Sequence, residues 1–217
     1  MTGLWEREGI LSAFLVLLVV KAFVLPAVVT VGLPGRILAD VFFSLVLITG
    51  VLSVSRLRWA FYSMLGVTVL TLLVHWLSWF LKPEATAVAR EWASLATLGT
   101  FTAVILSKVL SAGSISRARI EGAVAAYLLL GLSWASAYQL VYLYYPAAFQ
   151  GTLVETAPGL AFGYFSFVTL TTVGYGDITP VLPLARSLAI TEALTGQLDI
   201  AILLARLVSL QLHGRQQ

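Results

Sequence analysis

Six apolar stretches decide what this chain can fold into. Residues 10–31, 37–54, 59–81, 88–110, 123–144 and 184–210 each run to about the ~20 residues that carry a helix across a ~30 Å hydrocarbon core. In lipid the backbone must satisfy its own polar groups, which leaves helices or closed barrels. The composition agrees: 59% hydrophobic residues, 11% charged residues and a mean hydropathy of +0.95 lie far from a soluble domain. The expected fold class is an all-α integral membrane protein. The first stretch is too long for the apolar region of a signal peptide and no small-residue cleavage pattern follows it, so it reads as a retained span.

Several functions are excluded at this stage. With no Cys the chain has no disulfide, no thiol nucleophile and no Cys-ligated zinc, and two isolated His residues make no metal cluster. No nucleophile–base pair, cofactor site or nucleic-acid partner is visible, so an enzyme is not expected. The formal charge of +3 says little by itself, because in a membrane chain the side on which each Lys and Arg lies is what matters.

Between the fifth and sixth stretches lies a shorter pattern. Pro158 followed by residues 159–170 reads as a helix of about a dozen residues, with Pro at its start and Thr156 near its cap. A helix that short cannot span, so it enters the membrane and turns back. It leads into Thr172-Val173-Gly174-Tyr175-Gly176-Asp177. Irregular backbone survives at membrane depth only where protein buries it or where it lines an aqueous path. Gly174 and Gly176, alternating with Val173 and Tyr175, permit positive φ at every second residue, so that successive carbonyls turn to one side. Such a row of oxygens can replace the water shell of a cation. The plain alternative is a glycine turn between two helices.

The TVGYGD run resembles the selectivity filter of potassium channels. The resemblance is specific over roughly residues 121–212 and weak before them. It implies K+ sites on the carbonyls of Thr172, Val173, Gly174 and Tyr175, with the Thr172 hydroxyl closing the innermost site and Gly176 completing the strand. K+ is then the permeant ion, with no cofactor besides. One filter strand per chain implies a homotetramer in membrane lipid. It also implies an outer helix, a pore helix, the filter and an inner helix over residues 116–217, after a four-span domain over residues 1–115. Ser111 to Glu121, with Gly113, Arg117 and Arg119, is the linker at that boundary.

Departures from the family pattern are local. Where relatives keep a Trp that hydrogen-bonds the Asp after the filter, this chain has Tyr164, whose hydroxyl can serve Asp177 equally. Where some relatives place a buried Glu on the pore helix it has Val168, and Glu192 on the inner helix is a substitute for filter support or an ion-path residue. Gly196 matches the family's hinge glycine, with close helix packing as the alternative. Thr195 and Asp199 share the Glu192 face, as does Arg206. Asp199 would face the cavity below the filter, where four copies form an acidic ring open to internal Mg2+ or polyamine block; otherwise it is a half-buried group paired with a neighbouring helix.

The fourth span lacks the arginine ladder of voltage-gated relatives, since residues 92–107 carry no charge. The first four spans are therefore expected to be a scaffold or regulatory domain. Lys21, Asp40 and His75 inside spans read as helix–helix contacts, and Pro26 as a bend. The aromatic stripe Trp134, Tyr138, Tyr142 and Tyr145 reads as packing. With the filter mouth outside, Arg7, Arg56, Arg58, Lys108, Arg117, Arg119, Arg206 and Arg215 are internal, against Arg36, Lys82, Arg90 and Arg186 external. Both termini are then cytoplasmic, and the compact chain suggests a prokaryotic inner membrane. The expected function is passive K+ conduction; the alternatives are a non-conducting subunit that joins other pore subunits, and a membrane-embedded enzyme or transporter.

Overall fold

The computed structural model describes residues 8–28, 33–54, 58–111 and 116–214. Helix α1 (Glu8–Val19), a π turn (Val20–Val24) and α2 (Leu25–Val28) form the first rod. There follow α3 (Leu33–Ser53), α4 (Arg58–Leu77), α5 (Pro83–Val109) and α6 (Arg117–Tyr144). A 3₁₀ turn (Pro146–Ala148), β1 (Phe149–Gln150) and α7 (Thr152–Thr156) precede α8 (Pro158–Leu170), β2 (Thr179–Pro180) and α9 (Pro183–Gly214). Among the described residues five helical stretches are long and apolar enough to cross a membrane. The sixth, α9, has 32 residues and ample length, but Glu192, Thr195, Gln197 and Asp199 dilute its apolar character.

The differences from expectation have local causes. Pro83 opens α5 at its first turn, where a missing N–H costs nothing, so the fourth span starts five residues earlier than the apolar run. Arg90 and Glu91 consequently lie inside that helix rather than at its end. Thr156 closes α7, bonding the Thr152 carbonyl at 2.8 Å, and Ala157 occupies the cap position of α8 with no side-chain cap. Ahead of Pro26 the first rod widens into the π turn, where the Leu25 N–H reaches back to the Val20 carbonyl. Ser116 caps α6 by accepting from the Arg119 N–H at 3.3 Å. The region expected as a plain loop after span five contains the 3₁₀ turn, β1 and α7, and β1 pairs antiparallel with β2, Phe149 opposite Pro180.

One apolar core joins α1, α3, α4, α5 and α6 through Leu11, Phe14, Leu47, Met64, Phe101 and Leu129. It crosses the expected boundary at residue 115, which is among residues 112–115, outside the described residues. Arg7, Arg56, Arg215 and the side chain of Arg206 also lie outside the described residues. A second cluster, built from α6, α7, α8 and α9 with Ala148, Phe149 and Ile178 of the connecting segments, packs around α8.

Candidate functional site

The re-entrant segment is organised from α8. Thirteen residues rise ~20 Å, short of a bilayer. Its last turn has carbonyls with no helical partner, and the following strand supplies donors. The Thr172 N–H bonds the Thr169 carbonyl at 2.9 Å, while the Val173 and Gly174 N–H groups share the Val168 carbonyl at 3.0 and 3.3 Å. Each peptide is planar and trans, so an N–H turned toward α8 sends the carbonyl of the preceding residue the other way. The oxygens of Thr171, Thr172 and Val173 therefore point away from the helix. Among the described residues no hydrogen bond reaches the carbonyls of Thr172, Val173, Gly174, Tyr175 or Gly176.

Positive φ recurs with period two, at Thr172 (61°), Gly174 (55°) and Gly176 (80°). Both glycines take the positive φ expected of them. Nothing lies within 4 Å of a Cβ built on either, so backbone conformation rather than space demands glycine there. Thr172 is the surprise: a β-branched residue in the left-handed region is strained by ~1–3 kcal/mol. Its bond to Thr169 and the two bonds to Val168 hold it. The whole run from Thr171 to Asp177 is exposed in the single chain.

The flanks anchor both ends of this strand. The Tyr164 ring stacks on Tyr175, centroids 6.5 Å apart and 3° from parallel, and its hydroxyl engages the Asp177 carboxylate. Beyond Asp177, Gly151 lies so close to the Asp177 carbonyl that a Cβ would come within 2.6 Å of it, which fixes the preceding loop against the strand's exit. The expected aromatic stripe does pack: Trp134 stacks on Tyr138, Tyr138 meets Phe149 and Phe165 edge-on, and Tyr142 meets Phe162.

Glu192 is fully buried and ties α6, α8 and α9 together. Tyr138 of α6 donates to its Oε2 at 2.5 Å, and Ser166 of α8 lies 2.5 Å from its Oε1. Ser166 also reaches the Gly131 carbonyl at 2.7 Å. The carboxyl thus touches no atom of the run from Thr172 to Asp177 and acts on α8, the helix that holds that run. Sequence reasoning located Glu192 but missed Tyr138 and Ser166 as its partners, since a stripe tyrosine and a lone serine give no signal until the helices are placed.

Gly196 is buried against the end of α8. A Cβ there would collide with the Leu170 carbonyl, which itself receives the Tyr127 hydroxyl at 3.4 Å. Close packing is the role the geometry supports. Thr195 bonds the Glu192 carbonyl at 2.8 Å. Asp199 is half-buried with Oδ2 enclosed and unpartnered among the described residues, and Tyr127 is the neighbour on which its charge acts.

In the first spans the isolated charges find helix neighbours. Asp40 accepts from Arg90 at 3.0 Å and from Trp79 Nε1 at 3.1 Å. His75 Nδ1 sits 3.0 Å from the Thr71 carbonyl and Nε2 3.5 Å from Ser94 Oγ. The Lys21 ammonium lies 4.7 Å from the centre of the Phe43 ring.

Comparison with known proteins falls on the same half of the chain. Residues 126–211 match a family model described as ion channel. A two pore potassium channel c from rice (Oryza sativa subsp. japonica) is 38% identical over 84 residues, which is 39% of this chain and 17% of that relative. The chain thus aligns with about one sixth of the relative's length. No solved structure matches. The chain is a multi-pass, all-α membrane protein whose residues 126–211 are similar to an ion channel family.

Proposed function

We propose that the chain conducts K+ selectively and that four copies build one pore around the exposed run from Thr171 to Asp177. The observation that carries this reading is the backbone of that run: left-handed φ at every second residue, N–H groups held by the pore helix, and carbonyls with no donor of their own. Four such strands around one axis present rings of oxygens that substitute for hydration water. The negative end of α8 points at the same place and favours a cation there. The word potassium in the rice relative's name supports the same choice of ion.

The filter mouth faces outward and both termini lie in the cytoplasm, following the excess of Lys and Arg on that side. Voltage has little to act on, because Trp92 to Ser107 carry no charge and Arg90 is paired with Asp40. The test is K+ flux into liposomes that hold this chain alone, followed by reversal potentials in K+ and Na+ solutions. Parent protein should pass K+ over Na+. Gly174→Ala, which puts a Cβ on a left-handed residue at a cost of at least ~1 kcal/mol per subunit, should lose that preference. Absence of flux from the parent would make the chain a partner subunit instead, and an unchanged selectivity in the variant would remove the filter assignment.

A further inference from the structure

A cavity of about 340 Å³ lies between the first four spans and the pore helix. Every span but the last brings a polar side chain to it, and Gly159, Leu160, Phe162, Gly163 and Phe167 of α8 form one wall. Ionisable groups gathered inside a membrane domain mark a functional site unless they satisfy one another. Most do. Asp40 accepts from both Arg90 and Trp79, and His75 is shared between Thr71 and Ser94.

Two groups are left over. The Lys21 ammonium, brought inward where α1 widens into its π turn, has the Phe43 ring beside it but no hydrogen-bond acceptor among the described residues. The Glu91 carboxylate has the charge of Arg90, the Ser136 hydroxyl and the charge of Lys21 around it, and forms no ion pair among the described residues. Glu91 is the first carboxylate whose charge acts on Lys21, so the two opposite groups face the same space without closing on each other. The Gln139 amide borders it as well. The remaining wall is apolar, with Leu25, Leu98 and Leu132 beside Phe43.

We propose that this cavity binds a small zwitterion, an aliphatic amino acid by its chemistry, and that its occupancy bears on the pore helix. The ligand's carboxylate meets Lys21, its ammonium meets Glu91, and its side chain lies on the leucine wall. A ligand with one charge would leave either Lys21 or Glu91 unpaired in a low-dielectric site, which is unfavourable. The volume falls within the roughly 300–1,000 Å³ of small-molecule sites. Filling it loads the helix whose Val168 and Thr169 carbonyls hold the filter strand, so binding and conduction are coupled. The coupling rests on the channel reading, whereas the binding does not.

The experiment uses the full chain, first in detergent and then in liposomes. Radiolabelled L-alanine, L-valine and L-leucine are the probes, with isopentylamine and 4-methylpentanoate as leucine analogues lacking one charge each. Saturable binding of at least one amino acid is expected, with tenfold or more weaker competition by both analogues and loss of binding in Lys21→Met and in Glu91→Gln. K+ flux should change about fivefold or more at saturation from one or both sides of the membrane. The analogue comparison on the parent protein stands even if a variant fails to fold. No saturable binding of any of the three amino acids, or competition by either analogue equal to leucine's, overturns the site. Binding without any change in flux overturns the coupling alone.

Discussion

Replacing Glu192 by Ala removes the one side chain that joins α6, α8 and α9 behind the filter. Ser166 keeps its bond to the Gly131 carbonyl, so the loss there is one hydrogen bond, ~1 kcal/mol. Tyr138 has no other acceptor among the described residues, and its buried hydroxyl left unpaired costs ~1–3 kcal/mol. The emptied volume adds ~1 kcal/mol or more. The sum is about 3–5 kcal/mol per subunit, which for a chain of this size lowers the melting temperature by about 6–20 °C. Glu192→Gln behaves differently. The amide oxygen accepts from Tyr138, the amide nitrogen donates to Ser166, and Ser166 still donates to Gly131, so the change stays within ~1 kcal/mol. A double variant, Tyr138→Phe with Glu192→Ala, removes the orphaned hydroxyl and should be about 1–3 kcal/mol more stable than the additive expectation. Melting in detergent and K+ selectivity in liposomes are read together, because the pore helix carries both. A glutamine variant as damaged as the alanine one, or strict additivity in the double, would refute the reasoning.

Three further outcomes are expected. Gly196→Ala should lower both melting temperature and K+ flux, because its Cβ meets the backbone carbonyl of Leu170; Gly131→Ala, which meets the side-chain ring of Phe167 at 2.6 Å, should be milder, and Gly99→Ala, with nothing within 4 Å, neutral or stabilising by ~1 kcal/mol, with equal effects at all three sites contradicting this order. Conductance should vary weakly with membrane potential, since each charge moved through the field contributes only ~2.3 kcal/mol per 100 mV and α5 has none in its middle; a gating charge of several elementary charges that survives neutralisation of Arg90 and Lys108 would contradict this. Asp199→Asn should weaken block by internal Mg2+ or spermine in inside-out patches, and equal block in variant and parent would leave Asp199 with a packing role facing Tyr127.

The fold was legible where a physical period dominates. Apolar runs gave the spans, and the Pro158 start with its short apolar run gave the re-entrant helix almost to the residue, because bilayer thickness and proline chemistry act on sequence directly. The glycine positions in the filter were legible for the same reason. Thr172 was not, since its left-handed φ comes from three N–H groups competing for the carbonyls of Val168 and Thr169, a property of how the strand folds back. Tyr138 and Ser166 were hidden because the Glu192 contacts join residues 54 and 26 positions apart. Glu91 was overlooked because, in a run read from residue 88, it falls in the first turn beside Arg90, whereas the start of α5 at Pro83 sets it about two turns inside the helix.

The π turn at Val20–Val24 makes chain length, and not only residue type, part of how the first rod packs. A π turn is an α-helix holding one surplus residue. Deleting a residue there would restore regular winding and rotate everything ahead of it by about 100°. Leu11, Phe14 and Leu18, all buried, would swing off the shared core, and the outward-facing Val16 and Val19 would move toward it. No substitution reverses such a rotation; only a second change of length does. A homologue that packs this core in the same way must keep the spacing between Leu18 and Pro26, so a gap placed there in an alignment is a statement about helix rotation.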